Sequence, residues 1–156
     1  MNRTRVFAVS TVALFAVAAA AAPLTKPQAL SIMKQRHEHM EAFGDATKAI
    51  YTNLQSPSPD LNVIRQASTA IKRQAPKIVS WFPAGTGPEA GKTRAKAEIW
   101  QKPKDFVVKA HDFTNAANAF DVAARRGDIS EIKTAFRAMG LACKACHDPY
   151  RAPEKD

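Results

Sequence analysis

Cys143 and Cys146 are the only cysteines in a chain of 156 residues, and His147 follows the second one directly. Thiols three residues apart on a helix share a face, so both can reach one flat ligand. Three chemistries use such a set. A dithiol redox centre sits at the start of a helix in an α/β fold, whereas this pair lies near the end of a helix in an all-α chain. A zinc site needs about two more ligands, and only His37, His39 and His111 remain to join His147. The third is the C-x-x-C-H attachment of c-type haem, in which two thioether bonds fix the porphyrin and the adjacent imidazole binds iron. The residues therefore predict one covalently bound haem c, held by Cys143 and Cys146 with His147 as iron ligand.

The elements that must carry this motif are helical. Apolar residues at alternating spacings of three and four run from Pro27 to Leu54, with Leu30, Met33, His37, Met40, Gly44, Thr47, Tyr51 and Leu54 on one stripe. After the Pro57–Asp60 break, a second helix follows Leu61, Ile64, Ser68, Ile71, Ala75 and Ile78, with Pro76 set to kink or shorten it. Gly85, Gly87, Pro88 and Gly91 mark a long connection with room for a helical turn around Ala95 to Trp100. A third helix fits Pro103 to Arg126, with Phe106, Ala110, Phe113, Ala117 and Phe120 inward and Gly127 ending it. Asp128 can cap a fourth, with Glu131 in the capping-box position and Ile132, Phe136, Met139, Cys143 and Cys146 continuing inward; Pro149 should stop it soon after His147. No segment has strand-like alternation and no repeat is visible. The expected fold is all-α, an antiparallel up-down-up-down four-helix bundle with its long connection in the middle.

Arg3 and Arg5 precede an uncharged run from Val6 to Ala22, the pattern of a secretory signal peptide. The run is mostly alanine and meets Pro23 at once, which argues against a membrane anchor. Cleavage is expected near Ala20 to Ala22, with Ala21 preferred, so that residues 1–21 are the signal and 22–156 one exported, periplasmic domain with no membrane span. Without Arg3 and Arg5 the chain keeps 21 basic residues against 14 acidic ones, a formal +7. No basic run alternates with aromatics as a nucleic-acid platform would, so the charge reads as solubility with a preference for acidic partners.

The sequence resembles class II c-type cytochromes, the cytochrome c′ family, over essentially the whole chain after the signal. Three parts carry the resemblance: Cys143-Lys144-Ala145-Cys146-His147-Asp148 with Tyr150 and Arg151; Phe82-Pro83-Ala84-Gly85-Thr86-Gly87 leading to Ala97-Glu98-Ile99-Trp100; and Arg36 with Met40. Pro149 departs from the family, which usually continues the helix there. The resemblance implies thioethers at Cys143 and Cys146, His147 as fifth iron ligand, and Met40 facing the opposite side of the iron. In one branch a methionine at that position binds iron and gives a low-spin electron carrier. In the cytochrome c′ branch the same position holds an apolar residue, sometimes methionine, and the five-coordinate iron is open only to small gases.

The expectation carried forward is His147/Met40 ligation in a soluble monohaem electron carrier that is not an enzyme, with the five-coordinate module binding nitric oxide or carbon monoxide as the alternative. Met33 and His37 are neighbours on the same stripe that would face the haem if the helix were rotated. Arg36, one turn before Met40, suits a haem propionate or is an ordinary solvated charge. Trp81, Trp100 and Tyr150 are expected to pack, and His39 and His111 to lie at the surface or be satisfied. Lys144 and Arg151 would offer positive charge to an acidic redox partner. Monomer and homodimer are both open, since members of the family do both through their first two helices.

Overall fold

The computed structural model describes residues 22–153, so the expected signal segment at 1–21 lies outside the described residues. Its helices are α1 (Lys26–Leu54), α2 (Leu61–Gln74), the short α3 (Glu98–Gln101), α4 (Pro103–Arg126) and α5 (Ile129–Tyr150), with a 3₁₀ segment, Ala75–Trp81, continuing α2. α1 packs on α2, α2 on α4, and α4 on α5, which makes the four-helix bundle expected from the sequence. No helix among the described residues is long and apolar enough to cross a membrane.

Local chemistry sets the boundaries. At the start of α1, Gln28 accepts hydrogen bonds from the Thr25 N–H (2.9 Å) and hydroxyl (2.8 Å). Asp60 accepts from the Asn62 N–H at 2.8 Å and Asp128 from the Glu131 N–H at 2.9 Å, each satisfying one orphan donor of a first turn. Gly127 ends α4 at φ 87°, a left-handed conformation that costs glycine little. Pro76 has no N–H to offer the preceding turn, and the helix tightens there into the 3₁₀ segment.

One expectation holds and one changes. Pro149 stops the last helix soon after His147: α5 ends at Tyr150, and its last turn closes through the Arg151 N–H donating to the His147 carbonyl at 2.8 Å. A proline in the final turn forfeits one bond, and contacts beyond the helix hold what remains. The inward stripe of α1 is rotated from the expected one. Ala29, Met33, Arg36, Ile50 and Leu54 are buried, while Leu30 and Tyr51 are exposed. The shift brings Arg36 inside and leaves His37 outside.

The core is built from Ile64, Ile71, Phe106, Phe113, Phe120, Ile132 and Met139 with smaller residues between them. One charge is buried in it. Asp121, fully enclosed on α4, accepts from the Ser68 hydroxyl (3.1 Å), the Thr69 hydroxyl (3.2 Å), Lys72 Nζ (2.8 Å) and Arg125 Nε (2.9 Å). Burial alone would raise its pKa, but the Arg125, Lys72 and Ser68 hydrogen bonds together outweigh burial and hold it down at about 2. A carboxylate whose pKa is lower folded than unfolded adds stability above the unfolded value, and that stability is lost as pH falls through the folded one. Wild-type stability should therefore drop by about 2 kcal/mol between about pH 4 and pH 2. Asp121→Asn should lose a similar amount at pH 7 and show a flatter acid limb in denaturant titrations.

Candidate functional site

Cys143 and Cys146 are half-buried on the inner face of α5, packed beside Phe136 and Ala142 against the core. Both thiols are free. Burial pushes Cys143 up to about 11, with a smaller push from Cys146. Burial also raises Cys146, where the Lys109 charge pulls down and the Asp105 charge pushes up. Thiols held neutral in this way are the reverse of the low-pKa pair a dithiol redox centre needs. His147 is lowered by burial first and then by the Arg151 and Arg94 charges, against an opposing Asp148, so its imidazole is neutral with a lone pair to offer a metal. Among the described residues no three His, Cys, Asp or Glu side chains gather as a metal site, which disfavours zinc.

α1 forms the opposite wall. Met40 is half-buried and packs against the core together with Phe43 and Ala46. Met33 is buried beneath the long connection, its methyl 3.7 Å from where a Gly91 side chain would begin, and the exposed Leu30 side chain, 2.8 Å from the same point, would have to turn aside for a larger residue there. His37 is exposed and pairs with Glu41 at 3.3 Å. His39 stacks on Trp81 with centroids 4.5 Å apart and planes at 20°, and His111 is exposed. Of the ligand candidates on α1, Met40 is the one placed with the apolar interior residues of the bundle.

α1 packs along α2 and the 3₁₀ segment and has no extended interface with α4 or α5; Phe43 reaches Phe113 of α4 edge-on at 5.5 Å. Half-buried apolar side chains line both α1 and α5, and both sets pack against the one core. A flat apolar group joined to the two thiols of α5 fits that arrangement.

Arg36 is 5% exposed and has no carboxylate partner among the described residues. Its guanidinium donates to the Thr86 hydroxyl (3.1 Å), the Thr86 carbonyl (3.1 Å) and the Thr93 hydroxyl (3.2 Å). It also lies 4.6 Å over the Phe82 ring and 5.8 Å from the Trp100 ring. Trp100 Nε1 donates in turn to the Phe82 and Pro83 carbonyls at 3.1 and 3.0 Å, which fixes this wall. Burial lowers the Arg36 pKa, yet a guanidinium stays charged. Three neutral acceptors leave that charge unbalanced and part of its five-donor fork unused. A cavity of about 150 Å³ adjoins it, lined by Ile32, Gln35, Arg36, His39, Ser80, Trp81 and Pro83. The threonine cage escaped sequence reasoning because Thr86 and Thr93 sit in an aperiodic segment 50 and 57 residues from Arg36.

The same connection is fastened to the far side of His147. Ala95 and Arg151 form an antiparallel bridge, the Lys96 N–H donates to the Tyr150 carbonyl (3.0 Å), and the Ala152 N–H donates to the Arg94 carbonyl (2.7 Å). Tyr150 is buried, donates to Asp105 at 2.5 Å and meets Phe106 edge-on at 5.3 Å. Trp81, Trp100 and Tyr150 thus have the packing positions expected of them. Lys144 does not offer a bare charge, because it pairs with Asp148 at 2.6 Å.

Arg36→Leu should destabilise the protein by about 2 kcal/mol, since it strips buried threonine oxygens of their donor. Amide hydrogen exchange should show the loss concentrated at residues 83–93, and Arg36→Lys should recover part of it.

A family profile described as Cytochrome C′ matches residues 31–151. The cytochrome c′ of Pararhodospirillum photometricum is 32% identical over 119 residues, which cover 76% of this chain and 94% of that protein. The crystal structure of cytochrome c′ from Thermochromatium tepidum superposes with a TM-score of 0.75 at 31% identity, covering 85% of this chain and all of the other. A nitric oxide complex of a cytochrome c′ mutant from Alcaligenes xylosoxidans superposes at 0.71 and 25% identity, over 82% of this chain and 97% of that one. The neutral, half-buried thiols, the adjacent His147 imidazole and a match spanning the bundle agree: the chain belongs to the cytochrome c′ family and binds haem c covalently through Cys143 and Cys146.

Proposed function

We propose that the chain is an exported, periplasmic cytochrome c′ in which His147 supplies the only protein ligand to iron and the opposite side is left to a small gas such as nitric oxide or carbon monoxide. This replaces the His147/Met40 electron carrier expected from the sequence, because the comparisons support the cytochrome c′ assignment and give the methionine-ligated branch no support. The observation that carries the reading is the apolar wall on α1. Met40, Phe43 and Ala46 stand half-buried there, while His37, the polar group that would favour peroxidase-like chemistry, is turned to solvent on Glu41.

When bound, haem c supplies an iron that changes oxidation state and accepts a diatomic ligand. Cys143 and Cys146 hold the group on α5, and the neutral His147 imidazole presents its lone pair from the same helix end. Arg36 supplies the buried positive charge that a propionate balances, at a place where an unpaired carboxylate would be costly. Met40 and Phe43 fill the facing side and admit only small apolar molecules.

Optical spectra and carbon monoxide titrations of wild type, Met40→Leu and Met40→Ala test the reading. Wild type should be high-spin and bind carbon monoxide in its ferrous form, Met40→Leu should match it, and Met40→Ala should bind about tenfold faster because bulk is removed. A low-spin wild type that binds carbon monoxide only after Met40 is replaced would restore methionine ligation. On denaturing gels, haem should stay with the chain in either single cysteine-to-alanine variant and leave it in the double variant.

A further inference from the structure

The cavity beside Arg36 opens between α1 and the end of the 3₁₀ segment. Arg36 and Trp81, both buried, form its base, and the exposed Gln35 and Ser80 stand at its mouth. Ile32 and Pro83, each half-buried, make apolar sides, and His39 lies stacked on Trp81. At about 150 Å³ the cavity is smaller than the roughly 300 Å³ at which drug-sized pockets begin, so it has room only for a compact molecule.

Its polar lining is rich in donors and poor in acceptors. No carboxylate faces the cavity. Three of the five Arg36 N–H groups go to threonine oxygens, and the Nε–H and one Nη1 hydrogen have no partner among the described residues. Gln35 Nε2 donates one hydrogen to the Ser31 hydroxyl at 3.4 Å and keeps the other. The nearby carboxylates of α1 are engaged, Glu38 with Lys34 and Glu41 with His37. A buried cation with spare donors beside an apolar wall suits an anion that carries a small apolar part. A bare inorganic oxyanion would leave Ile32, Pro83 and Trp81 unused.

We infer that this cavity binds a small free monocarboxylate, its head turned inward to Arg36 and its apolar end between Ile32 and Pro83. The haem propionate assigned to Arg36 above is a second source of the same chemistry, and two spare donors suffice for one oxygen from each. The cavity needs neither five- nor six-coordinate iron.

The test uses the holoprotein and 4-fluorobenzoate, followed by fluorine NMR and by the optical spectrum. The probe resonance should broaden saturably and recover on addition of benzoate, while benzamide, of like shape without the charge, should compete about tenfold less well. Ser80→Leu, which fills the mouth from an exposed position, should weaken binding about tenfold. Lys133→Gln, a change of surface charge on α5 outside the cavity, should alter it less than twofold. Equal competition by benzamide or by sulfate, or unchanged binding in Ser80→Leu, would overturn the site. A Soret band that shifts in step with binding would put the carboxylate on iron and overturn it too. Crystals of the holoprotein grown with 4-bromobenzoate should show anomalous bromine density between Ile32 and Pro83. A haem propionate filling the cavity, with no bromine there, would give the space to the haem and refute the inference. A low-spin spectrum together with saturable, benzoate-sensitive binding would refute the gas-binding reading and leave the carboxylate site standing.

Discussion

A guanidinium buried with no carboxylate partner among the described residues is the constraint from which the site can be understood. Arg36 sits inside the protein among two threonines, a carbonyl and two aromatic rings. Burying an unpaired charge is expensive, and neutral acceptors offset only part of the cost. In the function proposed above, an anion brought by the ligand would complete the balance, which would suit the wall of α1 to a group with its own negative charge. The long connection follows from this need, because Thr86, Thr93, Phe82 and Trp100 all belong to it or border it.

That connection also joins the two halves of the bundle. One part clasps Arg36 of α1, and another pairs with Arg151 just beyond α5. α1 and α5 are thus tied to each other through an intermediary. Stability resides elsewhere, in the aromatic core of α4 and in the Asp121 cluster that ties α4 to α2.

Where the physics is local, the sequence was legible. Pro103 and Gly127 bracket α4 because each acts on its own backbone, and Asp128 caps α5 through a donor three residues on. The C-x-x-C-H motif was legible because attachment needs only those residues. Non-local matters were not. The inward stripe of α1 differs from the expected one by about one residue because the burial of Arg36 depends on a threonine cage 50 and 57 residues away. Met40 is the hardest case, since a thioether that ligates and one that only fills space share the same type, spacing and helix.

The most direct test of the account is electron paramagnetic resonance of the ferric holoprotein at neutral pH. A high-spin signal, with no more than a trace of a low-spin component, is the predicted result and means that His147 is the only strong ligand from the chain. A dominant low-spin signal would contradict the account and return Met40 to the iron.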